Sequence, residues 1–239
     1  MRRMWWPRAR RADRSDLSDD LQFLFVVTYG RSGSTLLMSL LDSLPGYCIR
    51  GENAGVTYDL FEYHRKALEA RDKFSEQDRL KNAGGGLSSR HPWYGIDDYP
   101  EDEAIVRLRE LVVQTLLRPP REARVTGFKE IRWWMPKLVD YLDFLDALFP
   151  GARYVLNTRN LDDVSVSKWY RRKPDAREKL QGLEERLVKA VDTRGDRGYH
   201  LHFDDYVNEP SMLKDFYAWL GEPYDERRIR KILEVQHSF

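Results

Sequence analysis

The sequence has one cysteine, five histidines and no long apolar run. Cys48 alone cannot close an intramolecular disulfide, so the pairing framework of a small secreted domain is excluded. No stretch approaches the roughly 20 apolar residues that a spanning helix needs. Nor does a signal-type apolar segment follow the five arginines among the first eleven residues, and together these absences read as a cytoplasmic protein. Charge of one sign is lacking too. Forty basic residues face 39 acidic ones, which leaves no global field to draw nucleic acid or an anionic membrane, so any anion site must be local. No His/Cys group has ligand spacing, and no metal is expected. What is present is 239 residues with 41% hydrophobic content, enough for one sizeable core. One α/β domain is expected over 21–239, preceded by a basic arm over 1–20. That arm reads as a flexible or loosely docked tail, with a membrane-surface or partner contact as the other reading.

The stretch that organises the chain is FLFVVTYGRSGSTLLMSLL, from Phe23 to Leu41. Its first five residues suit a strand buried on both faces of a parallel sheet. After a glycine turn, Leu36, Leu37, Leu40, Leu41 and Leu44 recur at helical spacing until Pro45-Gly46. A strand running through a tight turn into a helix leaves about four backbone N–H groups at the helix start without partners, where the dipole is positive, and an anion fits there. Gly33 lets a phosphate approach the backbone, Ser32, Ser34 and Thr35 add hydroxyl donors, and Arg31 adds a charged fork. The alternative is a turn whose hydroxyls merely cap the helix. A Walker A loop needs lysine after its second glycine, and Ser34 stands there instead.

Further along, Tyr47 to Arg50 reads as a short strand, which puts Glu52 just past a strand end. In open parallel sheets ligands bind beyond the carboxyl ends of the strands. A carboxylate beside an anion loop there suits removal of a proton from an attacking hydroxyl; a solvated loop glutamate is the alternative. A helix over Val56 to Phe74 carries His64 as a surface or packing residue. The glycine-rich NAGGGLSSRHPWYGIDD over 82–98 reads as an active-site loop, in which Trp93 and Tyr94 either pack on an acceptor or pin the loop to the core. A helix is expected over Glu101 to Arg118, then a strand within RVTGFKEIRW that carries Lys129 to the same edge as Glu52. There the lysine either offsets charge on a transferring group or pairs with a carboxylate. Another helix spans Met135 to Phe149. The strand-to-helix stretch RYVLNTRNLDDVSVSKWY has Asn160 as N-cap, with Asp163 completing a capping-box arrangement. It places Arg159 at the strand end and Ser167 two helical turns on. Asp162 and Asp163 are read as dipole-complementing acids rather than metal ligands. A helix over Ala176 to Thr193 and a strand over Tyr199 to Phe203 follow.

YGRSGSTLL resembles the 5'-phosphosulfate loop of sulfotransferases that use 3'-phosphoadenosine 5'-phosphosulfate (PAPS), and R-N-x-x-D-V-x-V-S, from Arg159 to Ser167, resembles their 3'-phosphate motif. LLDSLPGYCIRGEN is similar to the segment of tyrosylprotein sulfotransferases and some bacterial carbohydrate sulfotransferases that carries a catalytic glutamate, and GFKE resembles the place where tyrosylprotein sulfotransferases carry a catalytic lysine. FDDYVNEPSMLKDFYAWLGEP resembles a late segment of the same family. The resemblance, over roughly Phe23 to Arg230, implies a single P-loop-like domain with a central, mainly parallel sheet flanked by helices. It implies sulfuryl transfer from PAPS to an acceptor hydroxyl, without a metal. Glu52, Lys129 and Arg31 would be catalytic, and Arg31, Ser32, Gly33, Ser34, Thr35, Arg159 and Ser167 would bind PAPS. Two departures stand out: arginine replaces the usual lysine of the first motif, and the chain stops at QHSF, where the family continues with a 3'-phosphate loop. Whether Lys231 to Phe239 supplies that contact stays open. A P-loop-like kinase using ATP, and a non-catalytic nucleotide-binding regulatory domain, are the alternative readings.

Overall fold

The structure is a computed structural model that describes residues 20–82, 86–167 and 169–234. Apart from Asp20, the expected basic arm therefore lies outside the described residues, as does the tail from 235. Strand β1 (Gln22–Thr28) is the axis of the fold. Leu24, Phe25, Val26 and Val27 are each 0% exposed, which is what an unbroken apolar run accomplishes when a sheet is covered on both faces. The period of two splits them. Phe23, Phe25 and Val27 join one core cluster, and Leu24 and Val26 join the other.

Helix α1 (Ser34–Asp42) follows, then β2 (Tyr47–Arg50) and the long α2 (Val56–Asn82). Next come α3 (Glu101–Leu111), β3 (Val125–Glu130), α4 (Leu138–Leu148) and β4 (Arg153–Thr158). The chain ends with α5 (Leu161–Ser165), α6 (Ala176–Asp192), β5 (Gly198–His202), α7 (Phe203–Asn208), α8 (Leu213–Leu220) and α9 (Glu226–Leu233). The five strands lie in the order β2-β3-β1-β4-β5, and all four neighbouring pairs are parallel. The connection from β3 to β4 thus passes across β1, which opens a crevice beyond its carboxyl end. Helices cover both faces. The leucines of α1 pack with α8 and α9 on Leu24 and Val26, while α4 and α6 pack on the Phe25 face. Each such leucine or phenylalanine contributes about 1.5–3 kcal/mol by leaving water.

Several elements differ from the sequence expectation. Helix α2 runs eight residues past Phe74, because no glycine or proline interrupts the chain before Gly84. The helix expected through Arg118 keeps α-helical bonding only to Leu111 and widens into a π-helical turn over Val112–Leu117. Arg50 Nε and Nη2 donate to the carbonyls of Leu117 and Arg118 at 2.6 and 2.7 Å and so satisfy the end of that turn. His64 is a packing residue, 6% exposed, with Nδ1 2.9 Å from the Tyr99 hydroxyl.

Gly127 governs how closely β3 approaches β1. A Cβ there would lie 1.7 Å from the Leu24 carbonyl oxygen, a backbone atom that cannot swing away. Gly127→Ala is expected to cost more than the ~1–3 kcal/mol of ordinary overpacking and to leave little folded protein in thermal denaturation. Gly182→Ala, at an exposed position of α6 with nothing near its Cβ, is the control and should gain up to about 1 kcal/mol. A folded, unshifted Gly127→Ala protein would show that β3 does not pair with β1 at this distance.

Candidate active site

Every strand delivers a residue to one pocket of about 510 Å³. Gly30, Arg31 and Gly33 to Leu36 follow β1, Glu52 follows β2, Lys129 and Ile131 flank the end of β3, Arg159 follows β4, and Phe203 and Val207 follow β5. The ends of parallel strands lie at one edge of the sheet, so residues scattered over the chain meet there. Leu233 at the end of α9 closes part of the wall.

The loop after β1 is built around two left-handed residues, Arg31 at φ 70° and Gly33 at φ 79°. Gly33 is the N-cap of α1, and no side chain among the described residues caps the helix, though Leu36 N–H bonds back to the Gly33 carbonyl at 2.9 Å. The first-turn amides are therefore not taken up by Ser32, Ser34 or Thr35, against the plain capping alternative. Ser34 and Thr35 line the pocket. Ser32 is 0% exposed, and its hydroxyl turns under the loop to Thr28 Oγ1 at 2.6 Å. Thr28 Oγ1 donates to the Asn157 carbonyl at 2.7 Å, and Asn157 Nδ2 donates to the Ser32 carbonyl at 2.9 Å. Tyr206 OH donates to Asn157 Oδ1 at 3.0 Å. Ser32 accordingly braces the loop against β4 rather than presenting its hydroxyl to the pocket. A Cβ on Gly33 would lie 2.1 Å from the Phe203 ring, so the space its bare Cα leaves also holds an aromatic wall.

Across the pocket Lys129 Nζ donates to Glu52 Oε1 at 2.7 Å. The lysine side chain is 6% exposed and the carboxylate 41%. A buried ammonium is thus held against a carboxylate that an incoming group can still reach. The period of two along β3 explains the lysine's direction. Val125 packs on the α1 side and Phe128 on the opposite face, which puts Lys129 on the α1 side with the anion loop.

Arg159 occupies the β4 end. Its guanidinium lies 4.8 Å from the Phe203 ring centroid, with Asp163 at 3.6 Å and Asp204 at 3.8 Å. Its buried Nε has no hydrogen-bond partner, and neither has the buried hydroxyl of Ser167. Two orphaned buried donors from one motif fit an anionic ligand, since such groups are ordinarily satisfied. The backbone of Arg159 is fixed by Tyr29, whose hydroxyl accepts from Arg159 N–H at 2.9 Å and contacts Glu184 Oε2 at 2.5 Å. Burial, followed by Glu184, pushes the Tyr29 phenol up, so it stays protonated. Asn160 Oδ1 accepts from the amides of Asp162 and Asp163, as an N-cap should. Asp163 makes no return bond to Asn160 N–H, which donates to Asp204 Oδ2 instead. Helix α5 is also shorter than expected, and Ser167 lies beyond its end. Asp162 pairs with Arg177 at 2.6 Å, and no group of three metal-ligating side chains occurs among the described residues. Trp93 stacks on Phe74 at 4.9 Å, which pins its loop to α2, although the ring is 51% exposed. Phe203, Ile131, Val207, Leu233 and the exposed Trp169 also line the pocket, although the sequence reading gave none of them a part in the site.

A sulfotransferase family model matches residues 24–226. Among solved structures, the sulfotransferase domain of the Synechococcus PCC 7002 olefin synthase superposes with a TM-score of 0.52 at 17% identity, covering 98% of this chain and 82% of that one. Sulfotransferase STF9 from Mycobacterium avium gives 0.46 at 16%, covering 88% and 66%. Mouse sulfotransferase SULT7A1 complexed with PAP gives 0.44 at 14%, covering 89% and 63%. The curated proteins contain no match to the chain.

Proposed function

The chain belongs to the sulfotransferase family, and from that premise we propose that it moves a sulfuryl group from PAPS to a hydroxyl of an acceptor such as a carbohydrate, lipid, small metabolite or peptide. The observation that carries the reading is the arrangement of the pocket: a helix-start loop with uncapped amides, an arginine on one side and a carboxylate–lysine pair on the other. When bound, PAPS supplies the sulfur, and its 5'-phosphate departs with the electron pair of the broken S–O bond while the acceptor oxygen forms the new one. Glu52 takes the acceptor proton. Lys129, already oriented by Glu52, offsets the charge that grows on the leaving oxygen, and Arg31 acts on the peripheral oxygens. The amides of the loop, with Ser34 and Thr35, hold the 5'-phosphosulfate; Ser32 shapes the loop from below. Arg159 and Ser167, whose Nε and hydroxyl otherwise make no hydrogen bond, hold the 3'-phosphate. No metal enters the proposal, because a transferring sulfuryl group carries less charge than a phosphoryl group and the three cations suffice. No helix among the described residues is long and apolar enough to cross a membrane, and a cytoplasmic setting belongs to the same proposal.

Arg159→Ala tests the 3'-site. It should weaken binding of adenosine 3',5'-bisphosphate (PAP) by about 1.5–3 kcal/mol, the loss expected for hydrogen bonds to a charged group, or roughly ten- to hundredfold in Kd. AMP binding should change little. Equal losses for PAP and AMP in calorimetric titrations would remove Arg159 from the 3'-phosphate.

A further inference from the structure

The residue after Lys129 points the other way and has no part in the chemistry described so far. Glu130 is 2% exposed, and four backbone amides donate to its carboxylate. Asn53 N–H reaches Oε2 at 2.9 Å, Gly55 N–H reaches it at 3.2 Å while also donating to Asn53 Oδ1 at 3.0 Å, and Ile131 and Arg132 N–H reach Oε1 at 2.8 and 3.1 Å. Two of these donors belong to the segment that follows Glu52, and two belong to the chain leaving β3. Successive left-handed residues, Ala54 at φ 60° and Gly55 at φ 80°, turn that segment around the carboxylate. Such a concavity of amides ordinarily receives an anion. Arg132 Nη1 adds a bond to the Ala54 carbonyl at 3.2 Å.

We propose that Glu130 is a positioning residue for Glu52, clamping residues 53–55 to the end of β3 so that the Glu52 carboxylate stays against Lys129. The proposal rests on the catalytic role given to Glu52. A carboxylate fits because it is acceptor-only, with lone pairs for all four amides; glutamine would turn an NH2 group onto two of them.

The test uses the full chain, with hydrogen exchange of single amides read by NMR and PAPS hydrolysis to PAP and sulfate, water serving as acceptor. In the wild type, Asn53 and Gly55 amides should exchange slowly despite their loop position; fast exchange there would overturn the clamp before any variant is made. Glu130→Gln should speed exchange at Asn53 at least tenfold while leaving residues 30–36 unchanged; Gly55 N–H, which also donates to Asn53 Oδ1 at 3.0 Å, should respond less. Hydrolytic kcat should fall about ten- to hundredfold, with KM for PAPS and Kd for PAP within twofold. Combined with Glu52→Gln, the second substitution should cost nothing further, because both act through one carboxylate. Multiplying losses, or a parallel loss of PAP affinity, would mean that Glu130 serves the fold generally. If the wild type binds no PAP, the donor assignment fails, whereas the exchange data still decide whether Glu130 holds the loop.

Discussion

Glu52→Gln should suppress turnover by about two to four powers of ten, the usual range for a positioned general base, and leave PAP affinity within about twofold. The amide still offers an oxygen to Lys129 Nζ, which donates to Glu52 at 2.7 Å, so the loop and the lysine keep their places. What disappears is an acceptor for the proton of the attacking hydroxyl. Glu52 is 41% exposed on its side chain, so the substitution buries no unsatisfied group, and thermal stability should barely move. Single-turnover measurement of PAP release separates the outcomes. A wild-type rate would take Glu52 out of the mechanism, and a low rate with PAP affinity lost in step would make it a binding residue.

Lys129→Ala should lower kcat by about two to three powers of ten, the effect of losing one preorganised donor at a developing charge. The lysine is 6% exposed, and its ammonium acts where water screens it little. Its contribution to folding is expected to be small by comparison. Removing the lysine leaves no buried charge without its partner, because the Glu52 carboxylate reaches solvent. A large loss of rate with a small change in Tm is therefore the signature. Lys129→Arg should not restore activity, since a planar guanidinium on a longer stem cannot replace a compact ammonium in a buried slot. Recovery with arginine would show that only net charge matters at this position.

Much of this architecture was legible in the order of residue types. The apolar run before Gly30 and the leucines after Gly33 fixed a strand and a helix, and the same logic placed Glu52, Lys129 and Arg159 at strand ends that do share one pocket. Side-chain directions were less legible where long-range contacts set them. Ser32 looks like a ligand donor until Thr28 and Asn157 take its hydroxyl and carbonyl. Gly33 looks open until Phe203, far along the chain, fills the space beside it. Glu130 stands in GFKE beside the lysine, yet its amide partners at Asn53 and Gly55 lie more than 70 residues away, and no periodicity announces them. The helix after Asn160 was overestimated because capping signals mark where a helix starts, while its length depends on packing.

The most direct measurement is calorimetric titration of the protein with PAP in EDTA, with AMP and with ATP plus magnesium as comparators. The account predicts tight PAP binding without a metal and at least tenfold weaker AMP binding, because Arg159 and Ser167 then lack their phosphate. Absence of PAP binding, together with magnesium-dependent binding of ATP, would contradict it and return the loop after β1 to a nucleoside triphosphate.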